Sequence, residues 1–471
     1  MILKQVLCVQ EGCTMVTVKS QPNLLEGPLL GKILRFSLPL MLTNLLQTLY
    51  DSADLMIVGY SNVPGAIGAI GNTVSMIRLF LNLCIGFSVG ANVVVARHIG
   101  AGERGKTQRA VHSSVLVGLV FGLVSCLIGQ LLCRWILTAM GSQGEVLRLA
   151  ELYSRIYFAG LPFMALTNVF AAILRAKGNT QTPLIVLSLS GLFNVIMNLV
   201  FVLACGMSVD GVALATALAN VLSAAALFIV LCRDTGWCRI TFRKLRFDLE
   251  SVKDTLYVGI PAGLNSAMFH LSNMQIQASV IHVNNVQCPG GSAVVDGHAA
   301  AYSLEGIVYT VTNSVYQAAV TFVSQHFGAG KYKRIGRVMT CCYGCAVAVS
   351  VLLGGSVLLF SDSLVGLFTK DPAAIEVGFL RNLIMMSTYF LVATMDVGTG
   401  VLRGLGKSLS STFITLLGVC VFRVLWVLIL FPMYPTLECV YLSYPCSWLI
   451  TTLVNVIYGR RVWRGLCKKE V

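Results

Sequence analysis

The chain has 471 residues, of which 56% are hydrophobic and only 11% charged, and it carries a net charge of +14. A water-soluble globule of this length cannot hide that much apolar surface, so the soluble classes are excluded. In a soluble protein the basic excess would point to nucleic acid; its placement along this chain, described below, excludes that partner.

In chain order, residues 1–30 lack the apolar core of a secretory signal and read as a short N-terminal tail, with Met15 as an alternative start. Beyond them the apolar residues fall into runs of roughly 20 or more, the length that crosses a ~30 Å hydrocarbon layer as helix. Twelve spans are expected, near 34–60, 66–93, 110–133, 152–174, 183–204, 210–232, 254–283, 297–325, 338–360, 380–402, 409–431 and 437–458. The alternating pattern of a β-barrel is absent, so the fold class is an all-α membrane protein. With the N-terminus in the cytoplasm, 27 of the 34 Lys and Arg fall on that side and five on the other (Arg134, Arg148, Arg155, Lys370, Arg381). Two more, Arg78 and Arg423, lie within spans. That asymmetry places both termini inside, with residues 460–471 as a basic C-terminal tail. The sixteen cysteines lie mostly within spans, where Cys packs as a small apolar residue. Cys341, Cys342 and Cys345 have no partner pair at zinc-ligand spacing, so neither a metal nor a cofactor is expected.

The chain repeats itself. Gly100 and Gly328 stand 228 residues apart within matching Gly-Ala-Gly loops, and Leu174-Arg175 and Gly178 return as Leu402-Arg403 and Gly406 at the same spacing. Arg109 likewise meets Arg337, and Asp210 meets Glu438. Matches in one register over more than a hundred residues mark a duplicated half-protein. Each half has an even number of spans, so the halves are parallel repeats, and two six-helix lobes would enclose a V-shaped central cleft. The expected division is an N-lobe at 31–232, a basic connector at 233–253 and a C-lobe at 254–459. The Gly-Ala-Gly loops lack the Lys-Ser/Thr and preceding strand of a phosphate-binding loop, and read as tight turns.

The chain resembles the multidrug and toxic compound extrusion (MATE) family over roughly residues 26–460. The resemblance is carried by Glu26-Gly27 before Phe36-Ser37-Leu38-Pro39, Asp54 before Val58-Gly59, and Ala96-Arg97-His98 with Gly100-Ala101-Gly102. Leu174 to Asn179, Gln325 with Gly328-Ala329-Gly330, and Leu402 to Gly406 complete the ordered set. Its wording is most similar to the bacterial DinF-like branch.

An acid at the bilayer centre costs at least ~2.5 kcal/mol, so polar residues within spans are functional candidates. At ~100° per residue, Asn44, Gln47, Asp51 and Asp54 share an arc of about 80° on span one, a face turned to protein or water. That face reads either as a proton- or cation-binding surface or as interhelical glue. In the resemblance, the acid matching Asp54 is the coupling residue of the N-lobe. Its frequent acidic companion on span five is here Asn198, with Asn194 one turn earlier, and both become candidate partners of Asp54, joined by Asn168 of span four. On span eight Tyr302, Glu305, Tyr309, Thr312 and Tyr316 share a second face. It would suit an organic cation through ring faces and a counter-charge, or serve as a packed interface with Glu305 paired to a buried base such as Arg423 or Arg78. Asp396 lies where the family often carries an acid. The sodium-coupled members carry a carboxylate within span seven, whereas this span has only Asp254 at its edge, which favours protons.

The expectation is therefore a monomeric, multi-pass secondary transporter of the bacterial cytoplasmic membrane. It would export amphipathic, often cationic, small organic molecules in exchange for H+ (or Na+), by alternating access. Its ion-coupling residues would be Asp54, Asp51, Asn194 and Asn198, and its substrate contacts Asn44, Gln47, Asn168, Tyr302, Glu305, Tyr309 and Asp396. A flippase for lipid-linked saccharide precursors is the nearest alternative, and an intramembrane transferase the alternative from another class. A major-facilitator carrier is disfavoured because its Asp-Arg-x-Gly-Arg-type loop is absent from 97–109.

Overall fold

A computed structural model describes residues 24–59, 63, 66–288 and 290–468; the start of the expected N-terminal tail and residues 469–471 lie outside the described residues. Among the described residues every regular element is helical, and twelve long helical units occupy the expected positions. The first six are α1 Leu29–Gly59, α2 Ala66–Gly100, α3 Arg104–Ala139, α4 Gly144–Ala176, α5 Gln181–Leu199 and α6 Val209–Cys232. The second six are α7 Leu249–Gln287, α8 Ala293–Gly328, α9 Tyr332–Leu359, a two-armed α10 (Pro372–Ser387 and Tyr389–Gly404), an interrupted α11 (Ser408–Thr415 and Phe422–Ile429) and α12 Leu437–Cys467. With the arms of α10 taken as one span, ten of these are long and apolar enough to cross a membrane. The other two, α7 and α8, are long enough at 39 and 36 residues but carry more polar side chains, including Asn265, Asn273, Glu305 and Asn313. Such side chains must face protein or water rather than lipid.

Two local features position the site. The arms of α10 meet at a 47° bend. Ser387 Oγ donates to Leu383 O at 2.6 Å and Thr388 Oγ1 to Ile384 O at 2.7 Å, back-bonding that bends helices. This helix begins at Pro372 rather than near residue 380, so Arg381 is not a surface residue as its position had implied; it lies inside the helix at 0% exposure. The second feature is a π-helical turn in each of α5 and α11, which hold the same place in the two repeats. Val200–Ala204 follows Asn198, and Leu416–Val421 precedes Arg423. Such turns widen the helix and re-aim neighbouring side chains.

The lobes meet at the end that carries the 97–104 and 325–332 loops, here called the basic end. A Cβ on Gly100 would overlap the Gln325 backbone, and one on Gly328 would overlap the Arg97 backbone. Arg97 and Gln325 are themselves repeat partners, so this contact lies on the axis relating the lobes. Farther along the seam, Gly86 and Gly90 of α2 cross Gly259 and Gly263 of α7, a four-residue small-residue spacing on both helices. The crossing is reciprocal, since Ile33, Phe36 and Leu40 of α1 pack among Val315, Phe322 and Val338 of the C-lobe. Interlobe hydrogen bonds among the described residues run from Asn44 Nδ2 to Thr310 O (3.3 Å), through Thr321 Oγ1 to Asn92 Oδ1 (3.1 Å), to Gln325 Nε2 and Ala176 O (2.6 Å).

The connector is pinned to the N-lobe. Lys177 Nζ pairs with Asp234 Oδ1 at 2.5 Å, the Thr241 N–H donates to His112 Nε2 at 3.1 Å, and the Asp248 N–H donates to Ser113 Oγ at 2.9 Å.

A substitution at the seam should register at once. Gly90→Val would drive a side chain into Thr255 O and the Gly259 backbone, and overpacking of this kind costs about 1–3 kcal/mol. Thermal unfolding of the detergent-solubilised protein should show that loss, while Gly71→Val, with nothing within 4 Å, should unfold with the parent.

Candidate functional site

The N-lobe half of the site is built on one carboxylate. Tyr50 of α1 lays its ring against Gly191, where any side chain would collide with it, and its hydroxyl donates to Ser188 O at 3.1 Å. That contact seats the outer part of α1 on α5 and brings Asp54 to Asn194 and Asn198, which share one face of α5 four residues apart. Asn198 Nδ2 donates to Asp54 Oδ1 at 2.5 Å. With its amide nitrogen turned to the carboxylate, Asn194 donates to the same oxygen at 2.8 Å. Thr216 Oγ1 of α6 lies 3.4 Å from Asp54 Oδ2. Asn198 is fully buried, Asn194 nearly so, and Asp54 half-buried. A half-buried carboxylate with amide donors on one oxygen and a hydroxyl beside the other can bind and release a proton.

Asp51 differs from Asp54. It is exposed, lies within electrostatic reach of Arg78 of α2, and accepts no hydrogen bond among the described residues. Three expected neighbours do not join Asp54. Asn168 donates to Met164 O of its own helix at 3.0 Å, and Asn44 reaches across to Thr310 O and Ser314 Oγ of α8. Gln47 is exposed. Asn44 therefore acts as glue between lobes. A helical wheel puts Asn44 on the polar stripe of α1 but does not say which helix lies against it. Thr216 was missed because a lone Thr in an apolar span carries no sequence signal.

In the C-lobe, Asp396 of α10 lies within electrostatic reach of Tyr309 of α8, and Asn313 Nδ2 donates to Tyr309 Oη at 3.4 Å. Two turns beyond Tyr309 on α8, Tyr316 accepts a hydrogen bond from Arg403. Tyr302 and Tyr309, 40% and 43% exposed, keep ring surface open to a ligand. The expected use of Glu305 as a free counter-charge for a cation needs correction. Arg381 Nη2 donates to Glu305 Oε2 at 2.6 Å, from a side chain with no exposure. The carboxylate is committed to a base that sequence reasoning had assigned to the surface, and neither Arg423 nor Arg78 is its ion-pair partner.

Two repeat-related six-helix lobes joined along a glycine seam, with polar groups inside long apolar helices, define the class of two-lobed membrane transporters. The MatE family model matches residues 39–200 and 261–429, each match opening at a repeat-related proline, and the chain belongs to this family of multidrug and toxic compound extrusion transporters. The chain is 23% identical over 406 residues to the multidrug export protein MepA of Staphylococcus aureus, covering 86% of this chain and 88% of MepA. Its fold matches a solved outward-facing conformation of a multidrug resistance MATE family transporter with a TM-score of 0.87 and 23% identity, over 95% of this chain and 99% of that one. A MATE crystal structure in the straight conformation gives a TM-score of 0.86 at 21% identity, over 94% and 98%. At these identities the likeness to solved structures speaks for the fold and does not single out a branch of the family.

Proposed function

We propose that the protein is a proton-driven exporter of amphipathic organic compounds, working by alternating access in the cytoplasmic membrane, with both termini and the basic end in the cytoplasm. The observation that carries the reading is the Asp54 cluster: one carboxylate held by Asn198, Asn194 and Thr216 from two other N-lobe helices. The Gly100–Gln325 and Gly328–Arg97 contacts that join the lobes at the basic end support an outward-facing state. Protonation of Asp54 would remove the charge that its amide donors stabilise, changing the relative stability of the two states; a ligand shifts such an equilibrium only by differential contacts. The division into an N-lobe (31–232), a connector (233–253) and a C-lobe (254–459) follows from this reading, as does action as a monomer.

Protons are favoured over sodium because the acids of α7, Glu250 and Asp254, lie in its first turns, and Asp254 is within electrostatic reach of Arg97. Among the described residues no nucleophile–base pair accompanies the cluster, which supports transport over an intramembrane transferase. Arg381 already holds the Glu305 carboxylate, so the cargo needs to be amphipathic but not cationic.

Expression in an efflux-deficient host tests the function. Resistance to amphipathic compounds should rise and should vanish when the proton gradient is collapsed. Resistance that survives this and disappears only with the sodium gradient would overturn proton coupling; no gain of resistance to any compound would sink the exporter itself.

A further inference from the structure

The connector exposes bases and large apolar side chains together. Arg239, Arg243, Lys244 and Arg246 precede α7, and Lys253 lies in its second turn. All five are exposed, and none makes an ion pair or a side-chain hydrogen bond among the described residues. The acids around them are engaged elsewhere. Asp234 holds Lys177, Asp248 faces Arg109 and Ser251, and Asp254 is within electrostatic reach of Arg97. Only Glu250 is left to set against five bases. Between the bases stand Phe242, Phe247 and Leu249, which are 70%, 59% and 83% exposed. Water alone is a poor surrounding for three such side chains, whereas a lipid–water boundary takes up rings and bases alike.

The fold sets this segment at that boundary. Its bonds to His112 and Ser113 hold it on the flank of α3 rather than across the helix end, because those residues stand about 12–14 Å along the axis from Arg104. That is the level at which the apolar run of α3 begins. On the other side, the Phe242 ring meets Phe228 of α6 edge-on at 5.3 Å, one turn inside that helix. The backbone is fixed, with Arg246 O accepting from Ser113 Oγ at 3.3 Å and the Asp248 carboxylate capping α7 at the Ser251 N–H at 3.1 Å. A groove of about 560 Å³ opens where the connector ends. Leu249, Leu256 and Ile260 of α7 and Leu409 of α11 give it apolar walls, with Lys253 and Tyr257 as polar groups. Arg246 stands three residues before Leu249, so its Cα is within about 11 Å of that wall.

We propose that the connector and this groove form a docking site for an anionic phospholipid of the leaflet at the basic end. Its phosphate lies among Arg243, Lys244, Arg246 and Lys253, an acyl chain occupies the groove, and Phe242 and Phe247 sit in the headgroup layer. The apolar walls call for a chain, which a soluble anion lacks. The unpaired bases select an anionic head over a zwitterionic one, which brings its own cation. The site spans both lobes, since the connector is pinned to α3 of the N-lobe while the groove lies between α7 and α11 of the C-lobe.

Native mass spectrometry of the full chain, released from nanodiscs of equal phosphatidylglycerol and phosphatidylcholine, reads the lipid that stays bound. Phosphatidylglycerol should be retained about tenfold over phosphatidylcholine, as several bases close to an anionic head imply. The triple variant Arg243→Gln, Lys244→Gln, Arg246→Gln should lose that preference, and Lys253→Gln alone should reduce it. All four positions are exposed and the bonds to Ser113 use backbone atoms, so these variants keep the fold. Removing three exposed bases from the last turns of α12, by Arg460→Gln, Arg461→Gln and Arg464→Gln, should leave the preference intact. Equal retention of the two lipids by the parent would overturn the site. So would a preference that the connector variant keeps, or one that the α12 variant loses to the same extent. No gradient or cargo enters the measurement, so its outcome is independent of proton-driven export.

Discussion

Asp54→Asn is expected to reduce proton-driven export to the level of vesicles lacking the protein while leaving the fold in place. The replacement keeps the shape of the side chain and can still bond Asn198 and Thr216, which approach opposite oxygens of the carboxylate. What it loses is the capacity to carry a proton at that position. A catalytic or transport proton site must load and unload at accessible pH, and an amide cannot. Asp51→Asn should have a smaller effect, because Asp51 is exposed and is not held by the α5 amides. Transport assays in inverted vesicles separate the two. Wild-type export by Asp54→Asn would remove this residue from the coupling step.

The second large effect is on stability. Glu305→Gln leaves the Arg381 guanidinium fully buried and without its 2.6 Å carboxylate partner, and breaking a buried pair from one side costs about 3–5 kcal/mol. Thermal unfolding in detergent should fall accordingly. Arg381→Met combined with Glu305→Gln should recover most of the loss, because the double variant leaves no orphaned charge. If Glu305→Gln alone unfolds like the parent, the pair is not structural, and Glu305 returns as a counter-charge for a cationic cargo.

The scaffold was legible in the sequence because duplication and span length are one-dimensional signals. The match of Gly100 with Gly328 marked equivalent loops. That each glycine packs on the backbone of the other repeat, at Gln325 and Arg97, is a fact of two lobes meeting and has no trace in either segment alone. Asp54 and its α5 amides were legible through the one-turn spacing of Asn194 and Asn198. Thr216 was not, since a hydroxyl on an apolar helix ordinarily bonds its own backbone, as Thr216 also does to Val212 O at 3.0 Å. Arg381 was misplaced for a different reason. The first turns of α10 hold Pro372 and Glu376, so the apolar run starts late and the arginine looked like its flank. Charge that is paid for by a distant partner cannot be recognised from local hydropathy. Asn44 shows the same limit for hydrogen bonds: a helical wheel gives the face, and tertiary packing decides which lobe it meets.

Proton exchange itself is the most direct measure of the central claim. Proteoliposomes holding a pH-sensitive dye, in sodium-free buffer, are supplied with a compound to which the protein confers resistance. The account predicts a saturable proton flux opposite to the compound in the wild-type protein and none in Asp54→Asn. A flux that requires sodium, or one that Asp54→Asn sustains at the wild-type rate, would contradict it.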